Sequence, residues 1–497
     1  MKLTTLLEGL SKGPLSFEIL QGSTEKEISG LAYDTRELSA DSVFVCLKGT
    51  KLDSHDLAAQ AVESGASVLI TERAVEVPAE ITVVQVENTR KALALLSSVW
   101  FGYPAEELQV VGVTGTKGKT TTTHMLKAIL EGAGSKTGLI GTIGAFVDGE
   151  KIPTKNTTPE SYELHRIFRE MLDRGCKFAV MEVSSQALKM DRVYGITFAC
   201  GLFLNISPDH ISPEEHPDFE DYLYCKTLLF PQCREAVLNW EAEHWQDMEA
   251  ACSCPVTTFG MGPEADRYGD NIKLLRGVDF LGCEFKYNEG GWSTWVKINM
   301  PGVFSVSNAL AALTVSRILG VSMVAAARAL EKVTVRGRVE VQSIGQSFTL
   351  LIDYAHNALS MENILSMVKA YSPRKIVCLF GGGGNRPVAR RLDMGEISAK
   401  YADLTILTMD NPRFEEIESI NNDIKKGLAV HEGKYLEIED REKAIRYALD
   451  HADPGDVIVL IGKGHEEYQD VKGEKIPFSE KAIVAAWAQE QKEVFGQ

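Results

Sequence analysis

The chain has 497 residues, of which 44% are hydrophobic and 24% charged, the balance of a globular protein, and this length predicts roughly two to four domains. Its 52 lysines and arginines against 69 aspartates and glutamates give a formal net charge of −17, which excludes a general affinity for nucleic acids or anionic membranes. No apolar run is long enough to cross a bilayer and the first residues lack a signal-peptide pattern, so we expect a cytoplasmic protein without stable membrane insertion.

The cysteines predict neither disulfides nor a zinc site. The nine cysteines are scattered at irregular spacing, and an odd number without a repeated spacing gives no disulfide framework. Cys252 and Cys254 form the only close pair, with no second pair and no histidine at ligand spacing, so zinc is not expected. Reduced thiols in a reducing compartment fit this pattern.

The first two thirds of the chain predict two α/β domains. Residues 1–103 mix short apolar runs such as SVFVCL and ITVVQV with helical stretches, which predicts a small N-terminal α/β domain. Residues 104–335 contain LQVVGVTG, KFAVMEVSS and ITFACGLFLNIS between helices, and this alternation predicts a central doubly wound parallel sheet of the P-loop type. Within this region, residues 271–300 alternate and turn like antiparallel hairpins.

The last third of the chain predicts a separate domain. The runs FTLLIDYA, RKIVCLFGGGG, LTILTMDN and DVIVLIGKGH alternate with helical stretches over residues 336–497, which predicts a Rossmann-like C-terminal domain. Its glycines follow the strands, and ligands of open α/β sheets bind at the carboxyl ends of strands. We therefore expect part of the functional site here.

A glycine-rich turn between a predicted strand and a predicted helix indicates a nucleotide site. The stretch VVGVTGTKGKTTTTHMLKAIL, residues 110–130, departs from the standard loop G-x-x-x-x-G-K-[ST] because Val113 stands at the first glycine position. Its physical features are nevertheless suitable, since backbone N–H groups can face a phosphate, Lys119 can meet phosphate charge and Thr120 can ligate Mg²⁺. A plain glycine-rich turn with a capping threonine is the alternative. The expected ATP contacts of this loop are Gly115, Thr116, Lys117, Gly118, Lys119, Thr120 and Thr121.

Several motifs together resemble the Mur ligase family of ATP-dependent amide-forming enzymes. The loop variant T-G-T-K-G-K-T-T is accompanied in the central region by MEVSSQAL, NISPDHI, YCKTLLF and PGVFSVSNALAA. In the last domain DYAHN, GGGGNRPVARR, TMDNPR and GKGHEEYQ are similar to family members that add the third residue of the peptidoglycan precursor peptide. The motifs keep the family's order along nearly the whole chain. The resemblance implies a uridine-binding N-terminal domain, an ATP-binding central domain and an amino-acid-binding C-terminal domain.

The resemblance also implies a reaction, with ATP and Mg²⁺ as cofactors. A substrate carboxylate would attack the γ-phosphate to give an acyl phosphate, and an amine would then displace phosphate. The partners would be small molecules bound by a monomer, namely the sugar nucleotide UDP-N-acetylmuramoyl-L-alanyl-D-glutamate and a diamino acid. Two alternatives are a ligase similar to folylpolyglutamate synthetase and a nucleotide-binding module without catalysis.

Catalytic and metal-binding roles fall on five residues if the resemblance holds. Lys119 would stabilise the γ-phosphate, and Glu182, which follows the apolar strand FAVM, would share one Mg²⁺ with Thr120. His210 would bind a second metal ion together with a carbamylated Lys226, because an ammonium group would repel the cation. The residues alone leave other interpretations open: Glu182 as a helix cap, His210 as an ordinary hydrogen-bonded histidine, and Lys226 as a surface lysine on an amphipathic helix.

The remaining expected contacts come from the same motifs. Asn308 is expected at the nucleotide, although a predicted helix start also suits an N-cap. Tyr33-Asp34-Thr35-Arg36 and Gly49-Thr50-Lys51 resemble uridine-binding loops. The expected contacts are Asn308, Arg338, Asp353 and His356 for ATP; Thr35, Asn156, Thr157, Thr158, Ser184 and Arg192 for the sugar peptide; and Arg391, Asp410, Asn411, Pro412, Arg413, Gly462 and Glu466 for the amino acid.

Arg413 bears on the identity of the amino acid. Its guanidinium suits a carboxylate, and Glu466 can hold an ammonium. meso-Diaminopimelate carries both groups at its far end, whereas L-lysine or ornithine carries only the ammonium and would leave the arginine unpaired, a difference worth about 10³-fold in selectivity. We therefore predict meso-diaminopimelate. The stretch NISPDHISPEEHPDFEDYLYCK favours L-lysine instead, because it is more similar to lysine-adding relatives.

Overall fold

A computed structural model describes residues 1–13, 15–49, 52–209, 211–212, 215–277 and 280–495 of the chain. The chain divides into two compact units, one formed by Met1–Tyr268 with Leu310–Ala326 and the other by Gly269–Ala309 with Ala327–Gln497. Thr50, Lys51 and His210, which the motifs single out, lie outside the described residues. Across the described ranges, no helix is both long and apolar enough to cross a membrane.

The N-terminal part of the first unit is a five-stranded sheet with helices. Its elements are α1 Leu3–Lys12, β1 Phe17–Gln21, β2 Gly30–Ala32, β3 Ser42–Val45, α2 Ala58–Glu63, β4 Ala66–Thr71, β5 Thr82–Val86 and α3 Thr89–Trp100. The strand order is β1-β5-β4-β3-β2, with β1 antiparallel to β5 and the other pairs parallel. Val43 and Val45 pack in one apolar cluster and Phe44 in another, as expected for a strand buried on both faces. The predicted small α/β fold is confirmed.

The central part of the first unit is built on a mainly parallel sheet. Its elements are α4 Pro104–Glu107, β6 Gln109–Thr114, α5 Lys119–Gly132, β7 Thr137–Gly141, β8 Gly144–Val147, β9 Glu150–Ile152, α6 Ser161–Asp173, β10 Phe178–Glu182, α7 Ser185–Lys189, β11 Cys200–Phe203, α8 Phe219–Thr227, β12 Ala236–Asn239, α9 Trp245–Ala250 and β13 Val256–Gly260. The strand order is β13-β12-β11-β6-β10-β7-β8-β9. The pairs from β13 to β7 are parallel, and β8 and β9 continue the edge with antiparallel pairing.

The register of three parallel strands determines where the central site lies. Strand β6 pairs with β10 so that Val113 faces Glu182, and with β11 so that Thr114 faces Phe203. The carboxyl ends of parallel strands meet at the same edge of a sheet. The glycine-rich turn after β6, the segment after β10 and the segment after β11 therefore lie side by side.

The second unit contains a hairpin region and a six-stranded sheet. Three elements contribute residues to both units: β14 Arg267–Arg276, α10 Val303–Ile318 and α11 Met323–Leu330. The others are β15 Leu281–Glu289, β16 Trp292–Ile298, β17 Glu340–Gln342, β18 Thr349–Asp353, α12 Ala358–Ala370, β19 Ile376–Phe380, α13 Val388–Tyr401, β20 Leu404–Leu407, α14 Ile417–Leu428, β21 Tyr435–Glu437, α15 Arg441–Asp450, β22 Val457–Ile461, β23 Tyr468–Val471, β24 Glu474–Pro477 and α16 Glu480–Phe495. Strands β15 and β16 are antiparallel, as predicted.

The six-stranded sheet has the order β17-β18-β22-β19-β20-β21. Strand β17 is antiparallel to β18, and all other neighbours are parallel. The inner strands are largely apolar, for example β22 with the sequence VIVLI, in which every residue is buried. This pattern is typical of a parallel sheet covered on both faces, and it confirms the predicted Rossmann-like fold.

A buried ion pair connects α15 and α16, the last two helices beside this sheet. Arg441, the first residue of α15, donates from Nε and Nη2 to Glu480 Oε1 at 2.9 and 2.8 Å. It also donates to the carbonyl oxygens of Met409 and Ile461 at 3.2 and 2.8 Å. Burial raises the pKa of Glu480 even though Arg441 acts in the opposite direction. Because both side chains are almost fully buried, each charge depends on the other.

Replacing Arg441 by Met is expected to destabilise the C-terminal sheet by about 3–5 kcal/mol, because Glu480 would lose its ion pair with Arg441 in a buried site. Differential scanning calorimetry of the full chain would show a lower transition temperature. The double variant Arg441→Met, Glu480→Met should recover most of the loss. Arg446→Ala, which breaks more exposed ion pairs with Glu442 and Glu490, should cost about 1 kcal/mol or less. A single variant as stable as the unmodified chain would contradict this account.

Candidate active site

The glycine-rich turn between β6 and α5 has the geometry of a phosphate-binding loop. Gly118 precedes α5 with φ of 87°, a left-handed conformation that favours glycine. The ammonium of Lys119 folds back over the turn and donates to the carbonyl oxygens of Gly115 and Thr116 at 2.7 and 3.2 Å. Thr120 is buried in the first helical turn. The positive end of the α5 dipole therefore faces the turn, where an anion can bind.

Neighbouring segments hold this turn in place. The hydroxyl of Thr116 lies 3.0 Å from the hydroxyl of Tyr222 on α8. Asn205, after β11, accepts from the N–H of Lys117 at 2.9 Å and donates to its carbonyl at 3.1 Å. The ammonium of Lys117 lies 3.1 Å from a carboxylate oxygen of Asp209. The phosphate loop, the segment after β11 and helix α8 therefore form one connected structure.

Glu182 ends β10 beside the phosphate loop, as the sequence predicts. Its carboxylate is buried and accepts from the backbone N–H and the hydroxyl of Thr142 at 2.9 and 3.1 Å. A side chain at Gly141 would place its Cβ 2.2 Å from Glu182 Oε1, so glycine leaves the space that the carboxylate fills. The alternative role as a helix cap is wrong, because Ser184 caps α7 by accepting from the N–H of Ala187.

Lys226 on α8 is buried, with a relative exposure of 1%. Its ammonium nitrogen lies 4.3 Å from the centre of the Tyr222 ring. Burial, reinforced by the positive charge of Lys119, lowers the pKa of Lys226 well below its ordinary value. The alternative interpretation as a surface lysine is therefore wrong, because α8 turns this side chain inward.

The residues predicted for the sugar peptide lie near Glu182. Thr158 donates to the carbonyl oxygen of Glu182 at 2.9 Å, and the hydroxyl of Thr157 lies 3.2 Å from that of Thr142. Arg192 donates to Glu160 at 2.7 Å and to the carbonyl oxygen of Thr158 at 3.1 Å. Ser184, through its hydroxyl, is 3.4 Å from the Thr158 hydroxyl. The structure therefore brings four of the six predicted residues together beside the end of β10.

A cavity of about 420 Å³ connects this group with the predicted uridine loop, and Tyr33 and Asn156 both line it. The hydroxyl of Tyr33 donates to Glu163 at 2.8 Å, and burial together with this carboxylate raises the pKa of Tyr33. Thr35 lies in the short 3₁₀ turn Thr35–Glu37 that follows. Arg166 also lines the cavity and supplies a positive charge. The space, its aromatic wall and its basic residue suit part of a sugar nucleotide.

In the second unit, the residues predicted for the amino acid surround a buried lysine. Lys463 is fully buried and donates to Asn411 Oδ1 at 2.8 Å and Glu466 Oε2 at 2.7 Å. It lies 3.6 Å from Asp410, which is next to Gly462. Burial alone would raise the pKa of Glu466, but its hydrogen bond and ion pair with Lys463 lower it. Burial raises the pKa of Asp410.

Arg413 extends from the segment that follows β20. Its φ of 52° turns the backbone so that its N–H donates to the carbonyl oxygen of Asp470 at 2.9 Å. Its Nη1 donates to the carbonyl oxygen of Gly384 at 2.6 Å, and the side chain keeps 27% of its surface exposed. The Pro412 carbonyl packs against Gly384 so closely that a Cβ there would lie 1.8 Å away. The guanidinium therefore lies beside the glycine-rich loop after β19 and is accessible to a ligand.

Arg391 is buried among acceptors of the protein. Its guanidinium is 3% exposed and donates to Glu415 at 2.7 Å, Asp423 at 3.3 Å and the carbonyl oxygen of Gly383 at 3.2 Å. The hydrogen bond with Glu415 raises the pKa of Arg391. These contacts fix the glycine-rich loop to α14, and the expected contact of Arg391 with the amino acid stays a prediction.

Tyr354 joins the two groups of predicted residues within the second unit. The Arg338 guanidinium lies 5.2 Å from the centre of the Tyr354 ring, and the Tyr354 hydroxyl donates to Glu466 Oε1 at 3.3 Å. Asp353 precedes it, and burial raises the pKa of this carboxyl. The imidazole of His356 contacts the carbonyl oxygen of Tyr354 at 2.9 Å. The residues predicted for ATP and those predicted for the amino acid thus meet here.

Three further residues are placed differently from expectation or were not predicted. Asn308 lies in the second turn of α10 and is buried, so the alternative role as an N-cap is wrong. Lys463 and Tyr354 were not predicted as site residues, although both lie inside quoted motifs, GKGHEEYQ and DYAHN. Their position between predicted residues is the only signal in the sequence that could have identified them.

Three models of one family match consecutive parts of the chain. The Mur ligase family catalytic domain matches residues 27–100, the Mur ligase middle domain residues 113–316, and the Mur ligase glutamate ligase domain residues 337–464. These matches fall on each of the three α/β sheets described above, although β1 and most of β6 lie outside them.

Several named proteins are similar to this chain over nearly its whole length. A UDP-N-acetylmuramoyl-L-alanyl-D-glutamate--2,6-diaminopimelate ligase of Clostridium perfringens is 40% identical over 96% of this chain and 98% of its own. One of Geobacillus thermodenitrificans is 37% identical over 99% and 100%. A solved structure of a ligase with this name aligns with a TM-score of 0.73 at 26% identity, covering 95% of this chain and 97% of its own. The chain belongs to the Mur ligase family.

Proposed function

We propose that this chain is an ATP-dependent ligase that joins meso-diaminopimelate to UDP-N-acetylmuramoyl-L-alanyl-D-glutamate in peptidoglycan synthesis. The similarity to 2,6-diaminopimelate ligases over nearly the whole chain carries the proposal. The phosphate loop, Glu182 and the buried Lys226 at one edge of the central sheet support it, because they are the groups that phosphoryl transfer requires.

Each of three regions of the chain binds a different substrate. Residues 1–103 bind the uridine part of the sugar nucleotide, residues 104–335 bind ATP, and residues 336–497 bind the amino acid. The enzyme acts as a monomer on small molecules. It acts in the cytoplasm, because ATP is a cytoplasmic metabolite.

The chemistry proceeds in two displacements that the chain's own residues orient. An oxygen of the D-glutamate carboxylate attacks the γ-phosphorus of ATP, ADP leaves, and an acyl phosphate forms. An amine nitrogen of the diamino acid then attacks the acyl carbon, and phosphate leaves with the former carboxylate oxygen. The N–H groups of the phosphate loop and the ammonium of Lys119 hold the triphosphate and balance its charge.

The residues at the edge of the central sheet fit Mg²⁺. The Glu182 carboxylate and the Thr120 hydroxyl are hard oxygen donors, the type that this ion prefers, and both are buried beside the phosphate loop. When bound, Mg²⁺ neutralises phosphate charge. Lys226 fits only as an anion: the uncharged form of its amine, which burial favours, can add to carbon dioxide, forming an N–C bond and releasing a proton, and the resulting carbamate supplies further oxygen donors. His210 would join this group and lies outside the described residues.

The second unit suits a diamino acid with a distant carboxylate. The partly exposed guanidinium of Arg413 pairs with that carboxylate. Asp410 and Glu466 can carry two negative charges, whereas Lys463 between them carries one positive charge. One negative charge can therefore pair with an ammonium group of the ligand. L-Lysine and ornithine have no second carboxylate to offer Arg413, whose Nε otherwise lies 3.6 Å from a carboxylate oxygen of Asp470.

Phosphate release in the presence of the sugar dipeptide, ATP and Mg²⁺ tests the proposal directly. meso-Diaminopimelate should stimulate release about 10³-fold more efficiently than L-lysine or L-ornithine, because only it pairs with Arg413. A preference for L-lysine would show that the interpretation of Arg413 is wrong. Glutamate addition to a folate would favour the folylpolyglutamate-synthetase alternative, and nucleotide binding without phosphate release would favour a binding module.

Replacing Arg413 by Ala should raise the KM for meso-diaminopimelate by about 10²- to 10³-fold, since a charge-assisted bidentate contact is lost. The KM for ATP should change little. Arg446→Ala is a matched control, because that arginine in the same unit forms more exposed ion pairs with Glu442 and Glu490. Equal losses for both substrates, measured by steady-state kinetics, would remove Arg413 from amino-acid recognition.

A further inference from the structure

A buried histidine outside the predicted site joins two segments that carry site residues. The imidazole of His216 is 1% exposed. Its Nε2 lies 2.9 Å from the hydroxyl of Ser185, the first residue of α7. Its Nδ1 lies 2.6 Å from Asp221 Oδ2 on α8. The imidazole is therefore bonded at both nitrogens and spans the space between the two helices.

The direction of these hydrogen bonds follows from the groups involved. A carboxylate only accepts, so Nδ1 of His216 donates to Asp221. In a neutral imidazole the other nitrogen is then an acceptor, and the Ser185 hydroxyl donates to it. Lys189 on α7 donates to the same Asp221 oxygen at 2.8 Å. The contacts from His216 and Lys189 to Asp221 therefore tie α8 to α7 and its first residue.

The two residues bonded to His216, Ser185 and Asp221, each lie close in sequence to a proposed site residue. Ser185 follows Glu182 after only two intervening residues, and it begins α7 directly beyond the end of β10. Asp221 lies in the first turn of α8, whose next turn carries Lys226. The adjacent Tyr222 connects the same turn to the phosphate loop through Thr116. The first turn of α8 is therefore bonded both to the end of β10 and to the phosphate loop.

A metal site at this position is a weaker interpretation. Within the parts of the chain that the structure describes, His216, Asp221 and Cys225 offer ligand atoms within 4.8 Å of one another. Both imidazole nitrogens are already bonded to the protein, however, and the Lys189 ammonium lies against Asp221. That ammonium would repel a cation, so the cluster is suited to holding helices together.

We propose that His216 is a positioning residue that fixes helix α8 against the segment after β10 and thereby sets the place of Lys226 relative to Glu182. The inference rests on the proposed function for the metal-binding role of those two side chains. Groups that orient metal ligands contribute to metal affinity and turnover without touching the ion. His216 therefore acts through Asp221 and Ser185 and does not contact substrate.

The test compares the full chain with His216→Ala and Ser185→Ala. We expect kcat for ligation to fall by about 10- to 100-fold in His216→Ala, with the KM for ATP little changed, because only the placement of metal ligands is disturbed. Mn²⁺ binding in the presence of ADP, followed by electron paramagnetic resonance, should weaken by about tenfold. Ser185→Ala removes one hydroxyl and should cause smaller decreases in kcat and in Mn²⁺ affinity than His216→Ala.

The exposed His431 of the second unit, which pairs with Glu396, provides the matched control variant His431→Gln, and it should leave both measurements unchanged. Unchanged kcat and unchanged Mn²⁺ affinity in His216→Ala and Ser185→Ala would overturn the inference. Equal loss of affinity for ATP, Mn²⁺ and amino acid would also overturn it, since this indicates general unfolding. Failure of the unmodified chain to ligate would contradict the proposed function instead, and the Mn²⁺ measurement would still decide the role of His216.

Discussion

The parallel pairing of β6 with both β10 and β11 is the constraint on which the central site depends. Because Val113 faces Glu182 and Thr114 faces Phe203, three strand ends reach the same edge of one sheet. The phosphate loop, a buried carboxylate and the segment that carries Asn205 and Asp209 follow directly from this register. A slip of one residue would turn Glu182 to the other face of the sheet and separate it from the loop.

Electrostatics explains how an acidic chain can bind anionic substrates. The overall charge of −17 opposes approach of a sugar nucleotide or ATP, so binding depends on local groups. Lys119, Arg192 and Arg413 supply such groups, and each is held by acceptors of the protein at defined distances. Burial has the opposite effect on the charge of Lys226, because it lowers the pKa of this side chain and so favours the uncharged amine more than in an exposed lysine.

Local sequence predicted the parts of the structure that depend on near neighbours. The apolar strands, their parallel arrangement, the phosphate loop and the place of Glu182 at a strand end all follow from patterns within a few residues. The burial of Arg391 could not be predicted because its acceptors, Glu415 and Asp423, come from distant segments. The role of Lys463 likewise depends on Asn411, and the burial of Lys226 depends on how α8 packs, which its weak amphipathic pattern does not indicate.

The central claim is that ATP activates a carboxylate as an acyl phosphate before the amide forms. Sugar dipeptide labelled with oxygen-18 in the D-glutamate carboxylates tests this most directly. After ligation with meso-diaminopimelate, mass spectrometry of the released inorganic phosphate should show one labelled oxygen, because the attacking carboxylate oxygen leaves with the phosphorus. Unlabelled phosphate accompanied by normal amide formation would contradict the account.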